Sequence, residues 1–126
     1  MEYVDANVII YALSDPGLKG IKSKELLVSQ ELLTNSLTLD EVAFYFLRQS
    51  KAKALQAVNT MISSPKLFYE PFIHDDFQEF ARLIGLGLKP RDAIHAATAL
   101  RLGCKVIYSE DKDFDSVKGL KRKTPW

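Results

Sequence analysis

PRDAIHAATALRLGCKVIYS, residues 90–109, holds a helix, its stop signal and a strand in one uninterrupted run. Pro90 suits a first helical turn, where its missing N–H would have had no partner. The alanines that follow leave little side-chain bulk, so this helix can lie close against a sheet. Gly103 supplies a C-terminal cap. CKVIYS (104–109) is then apolar at Cys104, Val106, Ile107 and Tyr108, the pattern of a strand covered on both faces. A helix feeding a doubly covered strand is the repeating unit of an α/β sheet.

Working outward, ELLTN (31–35) and LFYE (67–70) read as further short strands. Leu39, Val42, Ala43, Phe46 and Leu47 recur at the spacing of one buried helix face. Leu55, Val58 and Ile62 do the same for a helix over about 51–63, and Phe77, Phe80, Ala81 and Ile84 for one over about 75–85. At the start, Tyr3-Val4 reads as strand. Val8-Ile9-Ile10 fits either its continuation or a helix after Asp5-Ala6-Asn7, with Asn7 favouring a break. The expected fold is α/β, with a mostly parallel sheet and helices on both faces. No repeat, low-complexity stretch or linker divides residues 1–126, so one domain is expected.

The 126 residues can bury a core without disulfides or structural metal. The single cysteine, Cys104, has no internal partner and sits in an apolar run, which fits core packing in a reducing compartment. No basic leader precedes a long apolar stretch, and no run is long enough to span a bilayer, so a cytoplasmic protein without membrane contact is expected. Seventeen basic against sixteen acidic residues give a net charge of +1, so any polyanion must be held by a local basic patch.

Ligands of α/β sheets bind at the carboxyl ends of the strands. Asp5 follows the first strand, Glu41 and Asp92 fall in first helical turns, and Asp111 and Asp113 follow strand 104–109. Singly, each has an ordinary structural reading. Thr38-Leu39-Asp40-Glu41 is a capping box, and Asp5, Asp92 and Asp111 suit helix starts. Asp15, Asp40, Asp75 and Asp76 also lie at turns or junctions, so position alone does not separate sites from caps. Convergence does. Several carboxylates brought together by a parallel sheet cannot all stay ionised without compensation. A hard divalent cation supplies it, and such a centre suits phosphodiester hydrolysis.

At these residues the chain resembles the PIN-domain ribonucleases, in particular toxin nucleases of the VapC type. The resemblance runs through VDANVIIYAL (4–13), LTLDEVAFYF (37–46), KPRDAIHAATAL (89–100) and SEDKDF (109–114), the last followed by a short GLK strand. It implies a three-layer α/β/α fold around a five-stranded parallel sheet, a homodimer, and Mg2+ or Mn2+ bound by the acids. Asp5 and Asp92 would be the principal metal ligands, with Glu41 and Asp111 completing the acidic set and Asp113 in an undecided role. Asn7 and Ser109 would orient the carboxylates, Ser109 standing where threonine is commoner. It further implies endonucleolytic cleavage of RNA and a cognate antitoxin protein. A housekeeping RNA-processing nuclease and an inactive PIN binding module are the alternatives.

Other residues are weighed and set aside. His95 lies three residues after Asp92 and is read as packing rather than as a ligand or base, and His74 as a surface or capping residue. Lys118, Lys121, Arg122 and Lys123 form the densest basic stretch, read as a solvated tail with RNA-backbone contact as the alternative. Arg48, Arg91 and Lys112 lie near the acids and are candidates for phosphate. Tyr45 and Phe114 are read as core rather than as base-stacking platforms. A receiver domain would need an aspartate after its third strand, and residues 42–69 contain none. No G-x-x-x-x-G-K-S/T is present, which excludes a P-loop binder.

Overall fold

In the computed structural model, which describes residues 1–126, the strand-like runs become β1 (Glu2–Val4), β2 (Leu32–Asn35), β3 (Leu67–Glu70), β4 (Val106–Tyr108) and β5 (Lys121–Lys123). They form one sheet in the order β3-β2-β1-β4-β5, with every neighbouring pair parallel. Connecting them are α1 (Ala6–Ser14), α2 (Leu18–Ser29), α3 (Leu37–Leu47), α4 (Lys51–Ser63), α5 (Phe77–Gly85) and α6 (Pro90–Arg101). Short 3₁₀ turns cover His74–Asp76 and Lys112–Ser116.

Alternation along the strands sends neighbours to opposite faces. Tyr3 and Ile107 join a cluster with Leu83 of α5, Ala93 and Ala97 of α6, and Phe114. Val4 joins the opposite cluster with Val8 and Ile9 of α1, Leu26 of α2, Val42 and Phe46 of α3, and Met61 of α4. The result is the three-layer α/β/α arrangement expected. Phe114 is wholly buried, as read; Leu100 and Leu102 pack against its cluster. Gly103, at φ +75°, ends α6 while the Cys104 amide donates to Ala99 O, so the cap is where the sequence placed it.

The ambiguous start resolves at Asp5. Its side chain accepts from the Ala6 amide and caps α1, so Val8-Ile9-Ile10 are helical. Helix α2 has no counterpart among the expected elements. Its buried positions are Gly20, Ser23 and Leu26, mostly small or polar, and carry no apolar signal. Gly20 is required there: a Cβ would stand 1.7 Å from the Asp15 carbonyl oxygen.

Three expected faces are corrected. On α4, Leu55 and Ile62 are exposed, and Ala54, Ala57 and Met61 turn inward instead. The helix packs closely enough that alanines fill the interface, and the larger residues are left outside. On α5, Phe77 and Ile84 are exposed and Leu83 is the buried residue. On α3, Leu47 and Tyr45 are exposed, so Tyr45 is not core. The basic stretch is not a free tail either. Lys121–Lys123 is the edge strand β5, and Arg122 folds back on Asp115 at 2.8 Å and on the Ser109 carbonyl at 3.2 Å. Lys121 and Lys123 stay exposed, as charges on an edge strand that discourage further pairing.

Candidate active site

The chain builds the sheet outward from β1 on one side through β2 and β3, then returns to add β4 and β5 on the other. The strand order therefore reverses beside β1, and a crevice opens at the carboxyl ends there. Asp5 leaves the end of β1 and its amide donates to Tyr108 O of β4 at 2.9 Å. Its carboxylate is buried. Oδ1 accepts from Ala6 N at 2.8 Å, and Oδ2 accepts from Ser109 Oγ at 2.8 Å and Asn7 Nδ2 at 3.2 Å. Asn7 also donates to Ser109 Oγ, and accepts the Glu110 amide at 3.2 Å. Asn7 and Ser109 thus hold the Asp5 carboxylate and tie it to the loop after β4. Being a cap and being a pocket acid are compatible: Asp5 caps α1 through Ala6 N and still lines the acidic pocket.

Glu41 is not a cap. Helix α3 starts one residue before Thr38, whose hydroxyl pairs with Thr34 Oγ1 at 2.6 Å. The Leu37 amide is met by Asn35 Oδ1 at 2.8 Å. Glu41 is thereby free to reach across to α6, where His95 Nε2 donates to its Oε1. His95 is wholly buried, 3.6 Å from Asp5 Oδ1, with Nδ1 2.7 Å from the Tyr3 hydroxyl. Burial alone would lower its pKa; the Glu41 hydrogen bond and the Asp5, Glu41 and Asp92 charges outweigh that and raise it. Tyr3 is pushed well above the usual phenol range by burial and by the Asp5 charge, so it keeps its proton. Both ring nitrogens are engaged, and His95 acts as a strut holding Glu41 beside Asp5.

Asp92 and Asp111 face each other across the opening, with Asp113 at its exposed edge; one oxygen from each lies within 4.8 Å of the others. Asp111 also caps the 3₁₀ turn, accepting from Asp113 N at 2.9 Å. Asp92 Oδ2 is buried with no hydrogen-bond partner. Burial first, then Asp111 and Asp5, push the Asp92 carboxyl up to about 7. Burial likewise raises Asp5, against the pull of His95 and Ser109. Folding thus favours the protonated form of Asp92. The stability this confers is complete below the ordinary value of 3.8 and is lost as pH rises through about 7. The ion-free protein is expected to melt at a lower temperature at pH 8 than at pH 6. Asp92→Asn should flatten that dependence, as thermal scans in chelator would show.

Asp5, Glu41, Asp92 and Asp111 line one pocket of about 310 Å³, together with Asn7, Arg48 and Arg91. A larger hollow of about 800 Å³ on α4 contains no acid or base and offers no chemistry. The donor set is all oxygen, with one buried carboxylate oxygen unpartnered, and this suits a hard divalent cation. Lys112 is exposed and does not line the pocket. Asp76 is a structural acid, buried and bound to Arg101 at 2.6 Å, and Asp15 accepts from Gly20 N at 3.0 Å. His74 is exposed. Sequence reasoning did not single out Glu110, which accepts from Tyr11 at 2.6 Å and from Lys19, and so fixes the loop carrying Asp111. Because Asn7 joins Asp5 to this loop, Asn7→Ala is expected to weaken divalent-ion binding about 10- to 100-fold, measured by calorimetry.

The family model described as PIN domain matches residues 3–120. No curated protein matches the chain in sequence. Among solved structures, DNA-bound VapBC from Salmonella typhimurium is similar with a TM-score of 0.77 at 18% identity, covering 100% of both chains. VapC20 of Mycobacterium tuberculosis, described as a sarcin–ricin loop cleaving toxin, gives 0.77 at 19% identity over 92% of this chain and 94% of that one. VapBC2 of Rickettsia felis, bound to a promoter DNA fragment, gives 0.76 at 16% identity over 98% of each. At these identities the likeness is one of fold. Together with the match over nearly its whole length, it shows that this chain belongs to the PIN domain family.

Proposed function

We propose that this protein is a Mg2+- or Mn2+-dependent endoribonuclease and the toxin of a toxin–antitoxin pair. The observation that carries the reading is the meeting of four carboxylates from distant parts of the chain in one pocket, with Asp92 Oδ2 buried and unpartnered. Asp5 and Asp92 would hold the ion, and Glu41 and Asp111 would complete the set, with Asp113 at the rim. The bound ion would neutralise charge developing on the phosphoryl oxygens and help water act as nucleophile at neutral pH.

The chain's own residues then have distinct tasks. Asn7 and Ser109 keep Asp5 oriented, and His95 keeps Glu41 close to it. Arg48 and Arg91 line the same pocket and offer the positive charge that a phosphodiester needs beside so many acids. The toxin role is supported by similarity, over the full length of both chains, to VapBC assemblies. On that basis a cognate antitoxin and a homodimer are the expected partners. No helix is long and apolar enough to cross a membrane.

The test is incubation of the purified protein with total RNA while Mg2+ or Mn2+ is titrated, followed by sequencing of the cut ends. Discrete internal cuts that depend on the ion and stop in excess chelator are expected. Undiminished cleavage in chelator would overturn the metal-dependent reading.

A further inference from the structure

Glu41, Phe44, Tyr45 and Arg48 occur at i, i+3, i+4 and i+7 along α3, so they share one stripe of the helix. All four line the acidic pocket. Phe44 is 55% exposed and Tyr45 39%, although Val42 and Phe46 of the same helix are buried. The Arg48 guanidinium lies 5.4 Å from the centre of the Phe44 ring, in cation–π contact. Two large aromatic rings therefore stand partly open to solvent beside the acids, Phe44 with Arg48 over one face and Tyr45 in edge contact with Phe46.

We propose that Phe44 and Tyr45 form a stacking platform for the unpaired base adjacent to the phosphate held at the acids, with Arg48 gripping the strand beyond it. This rests on the nuclease reading. A single-stranded RNA segment suits the stripe better than an apolar protein surface, because the rings sit between an acid cluster and a cation. That order matches a backbone of phosphates with bases projecting from it. Glu41 and Arg48 are separated by about 10 Å along the helix axis, more than the roughly 3.4 Å that a stacked base occupies. Aromatic faces accept any base, but only one not already stacked within a duplex. The platform would thus select locally unpaired strand rather than a particular letter.

The experiment uses a short single-stranded oligoribonucleotide spanning a cut site mapped in total RNA, and versions with an abasic residue on either side of the cut. Phe44→Ala should raise KM about 5- to 150-fold with kcat changed only a few-fold. Phe44→Trp should keep the wild-type KM, and the ion-dependent rise in melting temperature should be unaltered in both variants. One abasic position should raise the wild-type KM by a similar factor and have no further effect on Phe44→Ala. The platform is overturned if that abasic penalty is equal in wild type and Phe44→Ala, or if Phe44→Ala leaves KM unchanged. It is also overturned if the variant changes the oligomeric size, which would make the rings a contact between copies or with another protein. Wild-type protein that cuts no RNA overturns the nuclease reading as well, whereas wild-type cutting with an unaffected Phe44→Ala overturns the platform alone.

Discussion

Asp92→Asn is expected to reduce RNA cleavage by about a thousand-fold or more, while raising the melting temperature of the ion-free protein. The two effects share one cause. Asp92 carries a buried oxygen with no partner and faces Asp111, with Asp5 also raising its pKa. Removing its charge relieves that repulsion at neutral pH, and on the proposed reading it would also remove a ligand of an ion that would supply several kcal/mol of charge stabilisation in the transition state. Asp5→Asn should lose cleavage to the same extent but move stability the other way. Three donors converge on the Asp5 carboxylate: Ala6 N, Asn7 Nδ2 and Ser109 Oγ. An amide turns one acceptor into a donor, so buried donors lose their partner, at a cost of about 1–3 kcal/mol. Cleavage assays and thermal scans in chelator, run on both variants, check the pair of signs.

His95→Ala is the second large expected effect. It should lower the unfolding free energy by several kcal/mol, since it empties a wholly buried site and leaves Glu41 and Tyr3 without the hydrogen-bond partner it supplied. Tyr3 loses the His95 nitrogen that its hydroxyl meets, and Glu41 loses the strut that holds it beside Asp5. Cleavage should fall too, through a weakened hold on the ion; urea unfolding and ion titration of the variant measure the two losses separately. If His95 served as packing alone, an apolar residue of similar volume would restore both. His95→Phe is expected to restore neither.

Four strands of the parallel sheet were legible because they are short, largely apolar runs set between helix signals such as Gly103 and Pro90, whereas β5, Lys121–Lys123, is wholly basic and carries no such signal. Asp5, Asp92 and Asp111 were legible because each stands at a strand's carboxyl end or in a helix's first turn, whereas Glu41 lies one turn further into α3, whose first turn holds Asp40 instead. What the sequence hid was set by close packing. Ala54 and Ala57, not Leu55, turn inward to the cluster that holds Phe46 of α3, because a helix lying tight against its neighbour has no room for leucine. Helix α2 escaped notice because Gly20 and Ser23 make its buried stripe. Glu41 resembled a capping box until Thr38 proved to be paired with Thr34, which leaves the glutamate to His95. Glu110 and its holders Tyr11 and Lys19 are contacts across about ninety residues of chain, which no local pattern announces. Tyr45 is exposed where a core residue is expected, and its spacing from Glu41 and Arg48 places it on their stripe.

Crystals grown with Mn2+ and measured for anomalous scattering test the shared ion pocket most directly. The account predicts a strong peak at ordinary coordination distance, about 2 Å, from carboxylate oxygens of both Asp5 and Asp92. A map with no peak in that pocket, or with manganese bound only elsewhere, would contradict it.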